Sequence, residues 1–343
     1  MLLGAAGGSD ATEVAVALAL KWLASKQNVK DGLWSMRGPY ADGGSQENTL
    51  AATAMALLAM QGAGNTTSEG LHRAAVARAW RTVLKAQQPD GSFDVGDIPE
   101  QHKLYSHAQA TIALCELYGM THDEKLAAPA GQAVAYALAA QGPDGGWRYQ
   151  PGQMGDMSVT GWYLMALKTA EMSGLKVPPA TFEMLGEFLD SVAVEKGTRY
   201  GYRRHSPFKP ASPVTSAVTA EALLCRQYLG CPQRDPRLIE GLERLVGENM
   251  LEFEREKDVY AWYYITQVAH HVDGDPWLRW NDRLRELLPR GQVAKGSEQG
   301  SWDPALDKWG HVGGRLFTTS FCALMLEVYY RHAPLYAAET ESP

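Results

Sequence analysis

The stretch Gln87-Gln88-Pro89-Asp90-Gly91-Ser92-Phe93 decides how this chain is read, because the chain repeats it. Gln141-Gly142-Pro143-Asp144-Gly145-Gly146-Trp147 is a near copy, and Gln27-Asn28-Val29-Lys30-Asp31-Gly32-Leu33-Trp34 is the same phrase with one residue more. Glu298-Gln299-Gly300-Ser301-Trp302 is a shortened copy, and Gly197-Thr198-Arg199-Tyr200-Gly201-Tyr202 keeps only a glycine and an aromatic residue. The copies recur roughly every 55 residues, the mark of a repeat architecture. Asp-Gly supplies a tight turn in which glycine takes positive φ. The aromatic residue can cover a seam between repeats, and the glutamine can bond backbone groups at the next helix end. The phrase therefore reads as a staple of the scaffold and not as a catalytic motif.

Working outward, a helix with one wet face precedes each loop and an apolar helix follows it. In the first unit Val14, Leu18 and Trp22 stand at i, i+4 and i+8, with Lys21 and Lys26 off that stripe, whereas Leu50 to Met60 is almost wholly small or apolar. The alternation continues through six helix pairs, the last ending with Leu316 to Arg331. A pair of this kind cannot bury its own apolar helix, so the units must stack. The last unit keeps an apolar helix and a motif copy, much like the first, which favours closure into a ring over an open solenoid. The expected fold is all-α, a two-layer α6/α6 toroid of six inner and six outer helices. The expected organisation is a flexible N-terminal segment at 1–12, a single toroid domain at 13–336 and a flexible tail at 337–343.

Composition narrows the function classes. A formal net charge of −7 gives no electrostatic reason to expect nucleic acid and disfavours an anionic membrane surface. Residues 1–10 lack the basic and apolar regions of a secretory signal. No stretch reaches the roughly 20 apolar residues of a membrane-spanning helix. Neither a signal nor obligatory membrane insertion is expected, and the expected location is cytoplasmic. Cys115, Cys225, Cys231 and Cys322 form no Cys-x-x-Cys pair and read as free thiols packed as small hydrophobes.

Repeated Gln-x-x-Asp-Gly-Ser-Trp phrases between helix pairs resemble the QW-type repeats of squalene and hopene cyclases, a superfamily that includes class II diterpene cyclases and protein prenyltransferase β-subunits. The resemblance covers essentially the whole chain and implies a toroid with an apolar central cavity. It does not carry the family's chemistry across intact. Class II cyclases protonate their substrate with the middle aspartate of an Asp-x-Asp-Asp-Thr-Ala motif. The best match here is Asp156-Met157-Ser158-Val159-Thr160-Gly161, which has serine at the donor position. The prenyltransferase zinc ligands are missing as well, since no Asp-x-Cys occurs and Phe317-Thr318-Thr319-Ser320 lacks the histidine. His107 and Cys115, eight residues apart on one helix, are too far apart to share a metal. No metal and no cofactor are expected.

A polar rim remains, where the N-termini of the inner helices converge and their dipoles favour an anionic group. It comprises Glu47 and Asn48, Tyr105 with Ser106 and His107, Asp156 with Ser158, Arg203 to His205, Asp258 with Tyr260, and His311 with Arg315. The candidate catalytic residues are Asp156, His107 and Asp258, although an aspartate just before a helix is most often a cap. The candidate substrate-binding residues are Trp162, Tyr163, Tyr105, Tyr260, Trp262, Tyr263, Arg315 and Phe317, the aromatic ones being suited to stabilise a cation. Glu221, in the middle of an apolar helix, is expected to sit in a structural ion pair. The leading reading is a protein that binds or transforms an isoprenoid or another apolar small molecule in the central cavity. Two others stand beside it: a non-catalytic toroid that binds a protein or peptide partner, and a hydrolase or lyase using rim carboxyls drawn from Asp156, Asp258, Glu47 and Asp303.

Overall fold

A computed structural model of the chain describes residues 7–204, 212–249, 251–331 and 335–336. Six helices form an outer layer: α1 (Asp10–Lys26), α3 (Arg73–Lys85), α5 (Glu124–Ala139), α7 (Pro179–Val192), α9 (Pro236–Glu248) and α11 (Asp275–Arg290). Six more form an inner layer: α2 (Thr49–Gly62), α4 (Lys103–Thr121), α6 (Met157–Met172), α8 (Ser216–Tyr228), α10 (Val259–Val272) and α12 (Gly310–Leu326). A short α13 (Val328–Arg331) follows α12, where a single helix through Arg331 was expected. A two-residue antiparallel ribbon, β1 (Ala193–Val194) with β2 (Arg199–Tyr200), is the only sheet among the described residues.

The layers follow from burial. Twelve of the fourteen residues of α2 are buried, whereas α9 buries only Leu238, Gly241, Leu242 and Leu245 along one stripe. Polar residues set the starts: Ser9, Asn48, Asp123, Asp156, Thr215, Asp235 and Asp258 each accept a hydrogen bond from a backbone N–H in the first turn of the following helix. The Ser9 cap, reciprocated by Thr12, starts α1 at Asp10, inside the segment expected to be flexible. The expected tail at 337–343 lies outside the described residues. Each inner helix packs on the next and α12 packs on α2, so the inner layer closes into a ring, and α11 packs on α1 across the same seam in the outer layer.

The repeated loop does its stapling through three contacts. Its glutamine amide bonds the loop's own turn and a carbonyl in the next outer helix: Gln27 reaches Gly32 and Ala75, and Gln141 reaches Gly145 and Thr181. Its glycine, with φ of 85° at Gly145, lies so close to that helix that a Cβ would stand 2.0 Å from the Met184 carbonyl oxygen. Its tryptophan donates from the ring to the preceding outer helix, as Trp147 does to the Ala137 carbonyl at 2.8 Å. In the shortened last copy the glutamine's place is taken by Gln292, which bonds Gly300 and, across the closing seam, the Ala15 carbonyl of α1. The last loop is longer, so Gln292 and not Gln299 occupies the staple position.

Candidate functional site

Contacts across the ring identify the side chains that face its axis. Helices α6 and α10 are separated by α8, yet Ser158 and Trp162 of α6 touch Tyr260 and Tyr263 of α10. Trp162, Tyr263, Tyr264 and Phe321 pack together with ring centroids 5.1 to 6.4 Å apart and fill the middle of the toroid with an aromatic plug. On the side of the helix N-termini, Tyr105, Ser158, Tyr260 and Phe317 are all partly exposed and form a mouth above that plug.

A chain of polar groups runs inward from the mouth. The Tyr260 hydroxyl is the hub, 3.2 Å from Ser158 Oγ, 3.1 Å from the Tyr264 hydroxyl and accepting from Trp162 Nε1 at 2.9 Å. Tyr105 also engages Ser158. Tyr264 in turn lies 2.9 Å from Glu221 Oε1. Glu221 is 1% exposed, and its Oε2 has no hydrogen-bond partner among the described residues. Its carboxyl fits only because Gly161 faces it, since a Cβ there would stand 2.3 Å from Oε1. The expected ion pair is not found: among the described residues no cation pairs with Glu221, and its partner is a tyrosine. Burial therefore pushes the Glu221 pKa well above the usual carboxylate range, against the Tyr264 hydrogen bond. Burial thus favours the uncharged form of this carboxyl.

The rim carboxyls have other work. Asp156 caps α6 through the Val159 N–H at 3.0 Å, is fully buried and lies 3.5 Å from Arg148. Burial raises its pKa to about 6. Asp258 caps α10 and pairs with Lys308 at 3.2 Å. Glu47 accepts from the Met36 and Asn48 N–H groups and from Ser35, and Asp303 accepts from the Ala305 N–H. Arg315 ties the first loop to α12 by bonding Ala41, Asp42 and Ser301.

Three of the expected site residues face elsewhere. His107 lies between the layers, 3.4 Å from the Gly91 carbonyl of its repeat loop and 3.2 Å from the Tyr163 hydroxyl, and burial lowers its pKa to about 4. Tyr163 stacks on Trp147 at 5.1 Å, one residue and thus about 100° round the helix from axis-facing Trp162. Trp262 packs on Phe253, a loop residue. Phe317 reaches the mouth, but the expected cavity lies beyond the plug. It has a volume of about 130 Å³ at the C-terminal ends of the inner helices, with Trp162 and Tyr263 in its wall beside Glu116, Gln267 and Arg331. The sequence carries no signal for this end, because caps mark helix N-termini whereas Glu116, Gln267 and Arg331 meet only through packing.

Thr160, aligned with the threonine of the cyclase motif, also serves the scaffold. Its hydroxyl accepts from the Trp147 N–H at 2.9 Å, and Thr53, Thr219 and Thr319 accept equivalently from Trp34, Tyr200 and Trp302.

No family model and no curated protein matches the sequence. Solved structures do. The type II terpene cyclase MstE from Scytonema, as a variant in complex with merosterolic acid A, superposes with a TM-score of 0.60 at 13% identity over 95% of this chain and 98% of that one. The fold is a terpenoid cyclase-like α/α toroid. The architecture is shared more widely. An α-1,6-mannanase of Salegentibacter gives a TM-score of 0.65 at 10% identity over 94% and 99% of the two chains. An α-amylase from Clostridium perfringens gives 0.62 at 11% identity over 92% and 98%. At these identities the likeness extends to the fold alone.

Proposed function

We propose that the toroid binds an apolar small molecule, of the isoprenoid or a similar class, by an oxygen-bearing end at its N-terminal mouth, and protonates that end. The carrying observation is the convergence of the Tyr105, Ser158 and Tyr260 hydroxyls within an aromatic surround, backed through Tyr264 by the buried carboxyl of Glu221. The hydroxyls offer donors to a ligand oxygen, while the aromatic faces of Tyr260 and Phe317 suit an apolar body and stabilise developing positive charge. A neutral carboxyl can donate. The Tyr264 hydroxyl donates to Glu221 Oε1 in the resting arrangement; once it turns to donate to Tyr260, a proton on Oε1 passes from Glu221 to the Tyr264 oxygen, from Tyr264 to Tyr260, and from Tyr260 to the ligand, leaving Glu221 as the carboxylate. The plug below keeps the ligand at the mouth, so a long chain would extend outward over Phe317.

The hydrolase reading has less support. The mannanase is described as inactive when two neighbouring aspartates are replaced, and no Asp-Asp pair occurs in this sequence. Each of the four rim carboxyls is already engaged by backbone N–H groups. A direct test is titration with farnesol followed by tryptophan fluorescence, because Trp162 bonds Tyr260. Saturable quenching in the wild type, weakened at least about tenfold in Tyr260→Phe/Ser158→Ala by loss of two hydrogen bonds to the ligand, would support binding. No saturable change, or equal affinity in the double variant, would remove the mouth as the site. Binding that survives Glu221→Gln while turnover of a bound isoprenoid alcohol or epoxide is lost would assign the acid.

A further inference from the structure

The space on the far side of the plug carries an inference that does not rest on the mouth. This cavity of about 130 Å³ is bounded by Leu58, Ile112, Met165 and Leu335 and by the rings of Trp162 and Tyr263. Polar groups in its wall spend their bonds on one another. Gln267 bonds the Tyr263 hydroxyl, and Thr169 donates to the Met165 carbonyl of its own helix at 2.8 Å. Glu116 bonds Gln61 as well as Arg331, the latter at 2.6 Å. Arg331 is spent on Glu116, on Glu327 at 3.2 Å and on the Leu58 carbonyl. Burial pushes the pKa of both carboxyls up, towards their uncharged forms, so no surplus of negative charge faces the space.

The last described residues lie against this cavity. Arg331 bonds α2 and α4, and the Tyr336 hydroxyl donates to the Cys231 carbonyl, just past α8, at 2.8 Å. Helices α2 and α8 stand opposite each other in the inner ring, so the two anchors lie on opposite sides of its C-terminal end. Leu335, beside the second anchor, is part of the cavity wall.

We infer that this cavity is a binding site for a small, neutral, apolar molecule, with Leu335 as its cover. A close-packed interior keeps few voids of this size, and the lining of an empty one forfeits its contacts. An apolar cavity of about 150 Å³ stays dry and holds a benzene ring, so the space fits a ligand of about six non-hydrogen atoms. A charged ligand of that size would give up its hydration to a wall in which Glu116, Gln267 and Arg331 are already paired.

The test titrates the full chain with benzene, cyclopentylamine and butyrate, matched in size and differing in charge, by isothermal titration calorimetry. Benzene is expected to bind saturably, at least about tenfold more tightly than the amine or the carboxylate. Thr169→Trp, which puts an indole ring in the space, should weaken benzene binding at least about tenfold, whereas Phe317→Ala at the mouth should change it by no more than about twofold. Since the bulky variant could fail to fold, Leu335→Ala provides a second reading near the chain end. It should weaken benzene binding about fourfold or more, the worth of one buried methylene, with unchanged circular dichroism. No saturable benzene binding because water fills the space, equal or tighter binding of the amine or butyrate, or unaltered benzene binding in a folded Thr169→Trp or Leu335→Ala protein would each overturn the inference. Benzene binding lost in Phe317→Ala would place the ring at the mouth instead and overturn it too.

Discussion

At the scale of single residues, two buried groups pull the pH dependence of stability in opposite directions. Burial holds His107 at about 4, below its ordinary 6.5. Between those values the unfolded chain binds the extra proton, so stability falls as pH drops from 6.5 towards 4, by up to about 3 kcal/mol from this residue. Asp156 runs the other way. Its pKa is raised from 3.8 to about 6, so its contribution is greatest below 3.8 and is lost as pH rises through 6. Asparagine caps a helix as well as aspartate does. Asp156→Asn should therefore keep α6 capped and gain about 1–3 kcal/mol at pH 7 but nothing at pH 4, measured by urea unfolding at both values. A loss at pH 7 would mean that the Arg148 contact outweighs the burial cost. Gly145 is equally specific: alanine there needs positive φ and meets the Met184 carbonyl, so Gly145→Ala should cost about 2–4 kcal/mol. A cost below about 1 kcal/mol would show that the loop can move away from α7.

At the scale of elements, the inner-helix threonines couple each apolar helix to its loop. Thr160→Val keeps the shape but strands the Trp147 N–H in a buried site, at a cost of about 1–3 kcal/mol, whereas Thr160→Ser should cost less than about 1. Equal costs in chemical denaturation would show that the methyl group matters and the hydrogen bond does not. These elements were legible in the sequence to different depths. The outer helices announce their buried stripe by periodicity, and the caps that start the helices are visible as Ser, Asn, Asp or Thr. The inner helices α2, α4 and α6 are buried on nearly every side, so no stripe distinguishes the face towards the axis from the face towards the outer layer. That is why adjacent Trp162 and Tyr163 were both expected to line the cavity and only Trp162 does. His107 and Trp262 were misplaced for the same reason.

At the scale of the whole molecule, closure is what makes the seams equivalent. Gln292 bonds α1 across the seam between the last and first units with the same geometry that Gln141 uses inside the ring. Gln292→Ala and Gln141→Ala should each cost about 1–2 kcal/mol and leave unfolding a single transition. A Gln292→Ala protein that frays α1 and α11 in hydrogen exchange while the rest stays protected would show that the closing seam is weaker than the others.

The sequence by itself determined the ring. The spacing of the loops counts the units, Asp-Gly with an aromatic residue dictates the turn and its cover, and the alternation of stripe-faced and wholly apolar helices assigns the layers. All of these are local patterns with a local physical cause. Only the tertiary structure decided what lies at the axis, because that depends on side chains far apart in sequence meeting across helices that carry no directional signal. It set Glu221 against Gly161 and Tyr264 with no cation beside it among the described residues, closed the middle with an aromatic plug, and put the cavity at the end where Glu116, Gln267 and Arg331 meet.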